Sequence, residues 1–153
     1  MVTIESFLAA GGGRLVPVGA FEGPLRDGDH VEGAIRLVVD GTEVLDPGLV
    51  DYVDQLWAYI GSPAADAVAT GDAQVYFPGQ PIRFRLTRTR PGRILLALDM
   101  GTPGHVRTAE ADEAELLRAL AVNGAAFFEA MTRLNPGHGG SYQRAVDRLN
   151  ALR

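Results

Sequence analysis

IRFRLTRTRPGRILLAL, residues 82–98, holds two strands and the turn between them. In its first half Ile82, Phe84 and Leu86 alternate with Arg83, Arg85 and Thr87, the period-two pattern of a strand with one apolar and one wet face. Arg90-Pro91-Gly92-Arg93 then forms a good turn: proline presets the first central φ, and glycine accepts the positive φ of a type II turn. Ile94 to Leu98 is apolar at every position, which predicts a strand covered on both sides near the centre of its sheet. An antiparallel hairpin anchors the fold, and the flanking segments are read outward from it.

Upstream, Ala73 to Phe77 reads as a further strand, separated from the hairpin by PGQP. Before it, Val31, Gly33, Ile35, Leu37 and Val39 alternate with Glu32, Ala34, Arg36 and Val38, and Asp40-Gly41 supplies the dipeptide of a tight hairpin turn with Thr42 to Leu45 as the return strand. The first thirty residues suggest strands over Val2–Leu8 and Leu15–Phe21, joined by Gly11-Gly12-Gly13 and followed by the loop EGPLRDGD. Between these blocks Asp46-Pro47 has the chemistry of a helix start, with Leu45 and Val50 placed as a hydrophobic staple. That helix carries Leu49, Val53, Leu56, Trp57 and Ile60 on one face and is expected to end at Gly61; Ser62-Pro63 opens a second, shorter one running to about Thr70.

Downstream of the loop GTPGHV the pattern is helical to the end. Asp112 and Glu115 have capping-box spacing, with Thr108 as a competing start. A broad stripe from Leu116 to Leu134 includes Gly124, which marks a candidate close helix crossing, and a last helix sets Tyr142, Ala145, Val146, Leu149 and Leu152 on one side. LNPGHGGSY, residues 134–142, connects these two helices. Asn135-Pro136-Gly137 can stop the first and Ser141 can cap the second, whereas a dinucleotide loop would need other glycine spacing and a P-loop a lysine. The weaker alternative is an anion site at the helix start with His138 as a contact. The sum is a single α+β domain over residues 1–153: a mostly antiparallel sheet with two short helices in the middle and two C-terminal helices packed on one face.

Composition limits the chemistry. With 153 residues, 46% hydrophobic and 22% charged, the chain has enough apolar material for a packed core. It has no cysteine, which excludes disulfides, thiolate catalysis and cysteine-ligated metals. All fourteen basic residues are arginine, as a GC-rich genome would give, and the absence of lysine excludes Schiff-base chemistry and a lysine base. No apolar run is long enough to span a bilayer and the first residues lack a secretory signal's features, so a cytoplasmic protein is expected.

Charge is unevenly spread. Residues 1–81 hold three arginines against twelve acids, a net of −9; residues 82–107 hold six against one, a net of +5; the remainder holds five against six. Arg83, Arg85, Arg88, Arg90 and Arg93, with Arg107 nearby, are therefore candidate binding residues, either paired with acids elsewhere in the fold or exposed as a docking surface. His105 follows Gly101-Thr102-Pro103-Gly104 at the exit of the apolar strand and is the one candidate catalytic base. DGDHVE crowds Asp27, Asp29, His30 and Glu32 together but lacks the spacing of an EF-hand, so it reads as a solvated loop; neither a metal nor a cofactor is expected.

Two functions follow from this. The first is a non-catalytic binding protein, such as an inhibitor, an immunity-type antidote or an accessory protein, that meets a protein partner through charge-complementary surfaces. The alternative is a small enzyme or ligand-binding domain with a sheet/helix pocket, His105 as acid or base, and arginines such as Arg85 and Arg107 holding an anionic small molecule. Nucleic acid is disfavoured at a pI near 5.1 with no interleaved exposed aromatics. A homo-oligomer is compatible with either reading.

Overall fold

The computed structural model describes residues 1–153 and has an α+β architecture of two antiparallel sheets and three α-helices. The first sheet contains β1 (Val2–Ala9), β2 (Leu15–Pro17), β3 (Glu32–Val39), β4 (Thr42–Leu45) and the two-residue β5 (Asp51–Tyr52). It is ordered β2-β1-β3-β4, with β5 also pairing β3. Asp40 and Gly41, both at positive φ, make the tight β3–β4 turn that the dipeptide predicted. The β1–β3 ladder is close enough at Gly33 that a Cβ there would stand 2.1 Å from the Phe7 carbonyl oxygen, so only glycine fits.

Asp46-Pro47 does not start a helix. The Asp46 carboxylate accepts from the Gly48 N–H at 2.6 Å, and the Leu49 N–H bonds the Asp46 carbonyl at 3.0 Å, closing a turn that returns the chain to β3 as β5. The helix begins only after this strand. Nor are there two short helices in the middle: α1 (Val53–Thr70) runs through Gly61 and Pro63 without a break. Tertiary packing outweighs the local breaker signals here. Gly61 lies against Leu149, Pro63 is buried, and the predicted apolar face of Val53, Leu56, Trp57 and Ile60 is fully covered. Gly71, in the left-handed region, ends the helix.

The second sheet is a four-strand meander in sequence order: β6 (Asp72–Tyr76), β7 (Arg83–Arg90), β8 (Arg93–Asp99) and β9 (Val106–Asp112). Its last strand corrects the expectation that the chain is helical beyond residue 106. Thr108 lies in β9, and α2 (Glu113–Leu134) starts at Asp112, whose side chain accepts from the Glu115 N–H at 3.4 Å. Glu115 does not complete a capping box; it accepts from the Val2 N–H at 2.7 Å and so ties α2 to β1.

A 3-10 turn, Pro136–His138, leads into α3 (Gly139–Asn150), so Ser141 lies inside the helix and accepts from Arg144 instead of capping it. Asn135 sits at φ −140°, outside the left-handed region. The helices lie on inner faces of both sheets, α1 against β6, β7 and β3, and α2 against β1 and β9. The three meet at Gly124, where a Cβ would stand 2.5 Å from Leu149 Cδ1 and 2.9 Å from the Trp57 ring. One cluster of buried side chains joins both sheets to all three helices.

One face of the second sheet is left bare. Ile94, Leu96 and Leu98 are buried on the inner side, where β4 of the first sheet approaches, but Leu95 and Ala97 point outward and are only half-buried. The apolar run of β8 therefore has one covered side, not two. Arg85, Thr87, Thr108 and Glu110, opposite or beside Leu95 and Ala97 on the neighbouring strands, flank its outer side.

Candidate functional site

The arginines singled out by sequence are mostly spent on the fold itself. On the outer face Arg83 pairs with Asp99 at 3.2 Å, Arg85 grips Asp72 with two bonds at 2.8 and 2.9 Å, and Arg93 meets Glu110 at 3.3 Å. On the inner side Arg88 bonds Glu113 at 2.7 Å and the Val68 carbonyl at 3.1 Å, and Arg107 bonds Asp46. Arg90 alone of the six has no carboxylate in reach. Two of these partners, Asp46 and Asp72, come from the acidic first half and two, Glu110 and Glu113, from the C-terminal segment. The positive charge of the arginine hairpin is thus largely cancelled in space. The Arg85 guanidinium, helped by the Thr87 hydroxyl, holds the Asp72 carboxyl down to about 2.

His105 stands exposed in the β8–β9 loop, where its backbone closes the turn through Met100 and Thr102. Its side chain bonds no other group, and it lines neither of the cavities described below. The arrangement of base, nucleophile and enclosed site that the enzyme reading requires is not assembled around it.

Two stretches read separately in the sequence instead come together. DGDHVE and LNPGHGGSY clasp one another: Asn135 Nδ2 donates to the Gly28 carbonyl at 2.8 Å and to the Tyr142 hydroxyl at 2.9 Å, and Tyr142 in turn donates to Asp54 at 2.8 Å. His138 Nε2 lies 3.0 Å from Asp29 Oδ1, and His30 Nδ1 lies 2.9 Å from Asp27 Oδ2. Burial, with the Asp54 carboxylate adding to it, pushes the Tyr142 phenol above its ordinary value against the opposing donor from Asn135. The two histidines each pair with an aspartate, and the clasp fixes the loop between β2 and β3.

What the clasp fixes is one wall of a groove. The segment between β2 and β3 is pinned by Phe21 and Leu25, which pack on the core, and by Asn135 at Gly28. Between it and the triple-glycine turn of the β1–β2 hairpin opens a groove of about 960 Å³. Leu8, Leu15, Phe21, Leu25, Val31 and Val50 form its apolar floor. Arg14, Arg26, Glu22, Glu32, Asp27 and His30 line it as charged or titratable groups. Of these, only Asp27 and His30 are paired, with each other. Arg26 lies over the turn, its guanidinium 3.7 Å from where a Cβ of Gly11 would stand. A smaller hollow of about 400 Å³ lies between β1 and α2, beside Ser6, Asn123, Glu129 and Arg133.

Sequence reasoning did not single out Arg14 or Arg26. The one signal available was that both sit in glycine-rich loops, residues 10–14 and 22–30, whose mutual approach no local pattern announces. Comparison with protein-family models, with curated proteins and with solved structures finds no match to this chain.

Proposed function

We propose that this chain is a small non-catalytic binding protein of the inhibitor, immunity-type or accessory kind, which receives a segment of a protein partner in the groove beneath the triple-glycine turn. The observation that carries the reading is the state of the groove's charges: Arg14 and Arg26 have no carboxylate partner and Glu22 and Glu32 no cation, among apolar lining residues. On the β-strands every arginine but Arg90 is neutralised within the fold. Unpaired charges of both signs around an apolar groove suit a peptide segment, whose own charges set register while its side chains fill the floor.

The test is capture of binding proteins from native lysate at low salt by three forms of the chain: the natural one, Arg14→Ala/Arg26→Ala, and Arg83→Ala/Arg85→Ala/Arg88→Ala/Arg90→Ala. A stoichiometric protein held by the first and third forms, released as salt rises and bound about tenfold or more weakly by the second, supports the reading. A protein lost only with the third form returns docking to the arginine hairpin. Capture of nothing by the natural form overturns the proposal.

The same two arginines favour a second reading, a binding domain for an anionic small molecule. Thermal stabilisation by small carboxylates or phosphates that vanishes in Arg14→Ala/Arg26→Ala, with no protein captured, would select it.

A further inference from the structure

We propose that β6 is the pairing edge of a symmetric dimer, in which two copies of the chain join their four-stranded sheets through antiparallel β6–β6 contact. The hydrogen-bond phase of the strand shows which groups are free. Phe77 N–H bonds the Ile82 carbonyl at 2.9 Å and Arg88 N–H bonds the Gly71 carbonyl at 2.7 Å, and the β6–β7 register runs between these two pairs without a shift. Odd-numbered residues of β6 thus spend their backbone groups on β7, and Asp72, Gln74 and Tyr76 turn theirs to the outside. No strand lies there. Of the outward groups, only the Asp72 carbonyl is engaged, by the Thr70 hydroxyl at 2.9 Å.

Other strand edges of the molecule are protected. β2 is three residues long and ends in Pro17; the β3–β4 pairing is broken by a register shift at Leu37/Val38; β9 carries three charged residues, Arg107, Glu110 and Asp112. β6 has no proline, no basic residue and no bulge, and its one charge, Asp72, is neutralised by Arg85. Tyr76, 56% accessible, lies at its C-terminal end, and Val68, 42% accessible, in the last turn of the preceding helix.

The occupant follows from the sequence of the strand. DAQVY laid antiparallel on itself with Gln74 on the two-fold axis sets Ala73 against Val75 on the inner side and Asp72 against Tyr76 on the outer side. The apolar pair faces the core layer, and a phenol hydroxyl meets a carboxylate outside. Gln74 and Tyr76 present backbone donors and acceptors in the phase that this register needs, so each copy supplies what the other lacks.

Sedimentation over a concentration series, with amide exchange, decides the matter. The natural chain is expected to shift from 16.3 kDa toward twice that mass. Exchange at the Gln74 and Tyr76 amides should slow about tenfold or more with concentration, while Ala73 and Val75 stay protected throughout. Gln74→Pro removes an outward N–H and no ladder bond, so it should abolish dimerisation with the monomer still folded. Gln74→Lys is a second route to the same result should proline disturb the strand. A natural chain that stays monomeric at every concentration overturns the proposal, and so does a dimer unaffected by either variant or one whose protection appears at another edge. A monomer that protects the same amides only in the presence of a different protein assigns the edge to that protein and overturns the dimer.

Discussion

Asp72 lies between two guanidinium nitrogens of Arg85 and the hydroxyl of Thr87, and its carboxyl titrates at about 2 instead of its ordinary 3.8. Because the folded value is the lower one, the pair's contribution is fully present above pH 3.8 and is lost as pH falls toward 2. It sits in solvent, so salt screens it. In a carboxyl NMR titration, Arg85→Ala should move the Asp72 midpoint up toward 3.8; a midpoint that stays near 2 would mean the guanidinium is not its cause. Gly124 makes a different claim, on volume. An alanine there meets Leu149 and Trp57 well inside contact distance, and its cost by urea unfolding is expected at about 1–3 kcal/mol. Gly33→Ala is more severe, since its new methyl meets the backbone of β1, which cannot swing aside as a side chain can.

At the scale of elements, β8 is the sharpest case. Leu96→Ala, on the covered side, should cost about 2–5 kcal/mol, whereas Leu95→Ala on the bare side should cost under about 1 kcal/mol. Equal losses would show that the outer face is covered after all. The hairpin around this strand was legible because its alternation, its Pro-Gly turn and its apolar run all agree. β9 was not legible: VRTAEAD places small alanines on its inner side and mixed polar groups outside, so it gains its strand from β8 and not from its own pattern. α1 failed differently. Its apolar face was readable, but Gly61 and Pro63 carry stop signals that contact with α3 and the core overrides. Of the candidate site, the arginines were visible as a run, yet their acids lie far away in sequence, as Arg107 and Asp46 do. The groove was hidden because it forms where two loops approach, and loops carry no periodicity.

Besides the Arg107–Asp46 ion pair, a buried carboxylate ties the two sheets together. Asp51, in β5 of the first sheet, is buried at 7% exposure and accepts from the Gly79 N–H at 3.0 Å and from Gln80 Nε2 at 3.0 Å, both in the β6–β7 turn of the second. Asp51→Ala leaves those donors without their acceptor and should destabilise the whole molecule by about 2–3 kcal/mol, read as a fall in the urea midpoint at unchanged slope. A changed slope would mean instead that the sheets had begun to unfold separately. The meander order of the second sheet also bears on how the chain acquires its structure. Each of its pairings joins neighbours in sequence, whereas β1 must wait for β3 and α2 for contacts with both ends of the chain. Loop-closure entropy therefore favours residues 72–112 as the nucleus, and mutations at Leu96 should slow refolding while those at Ile35 mainly hasten unfolding.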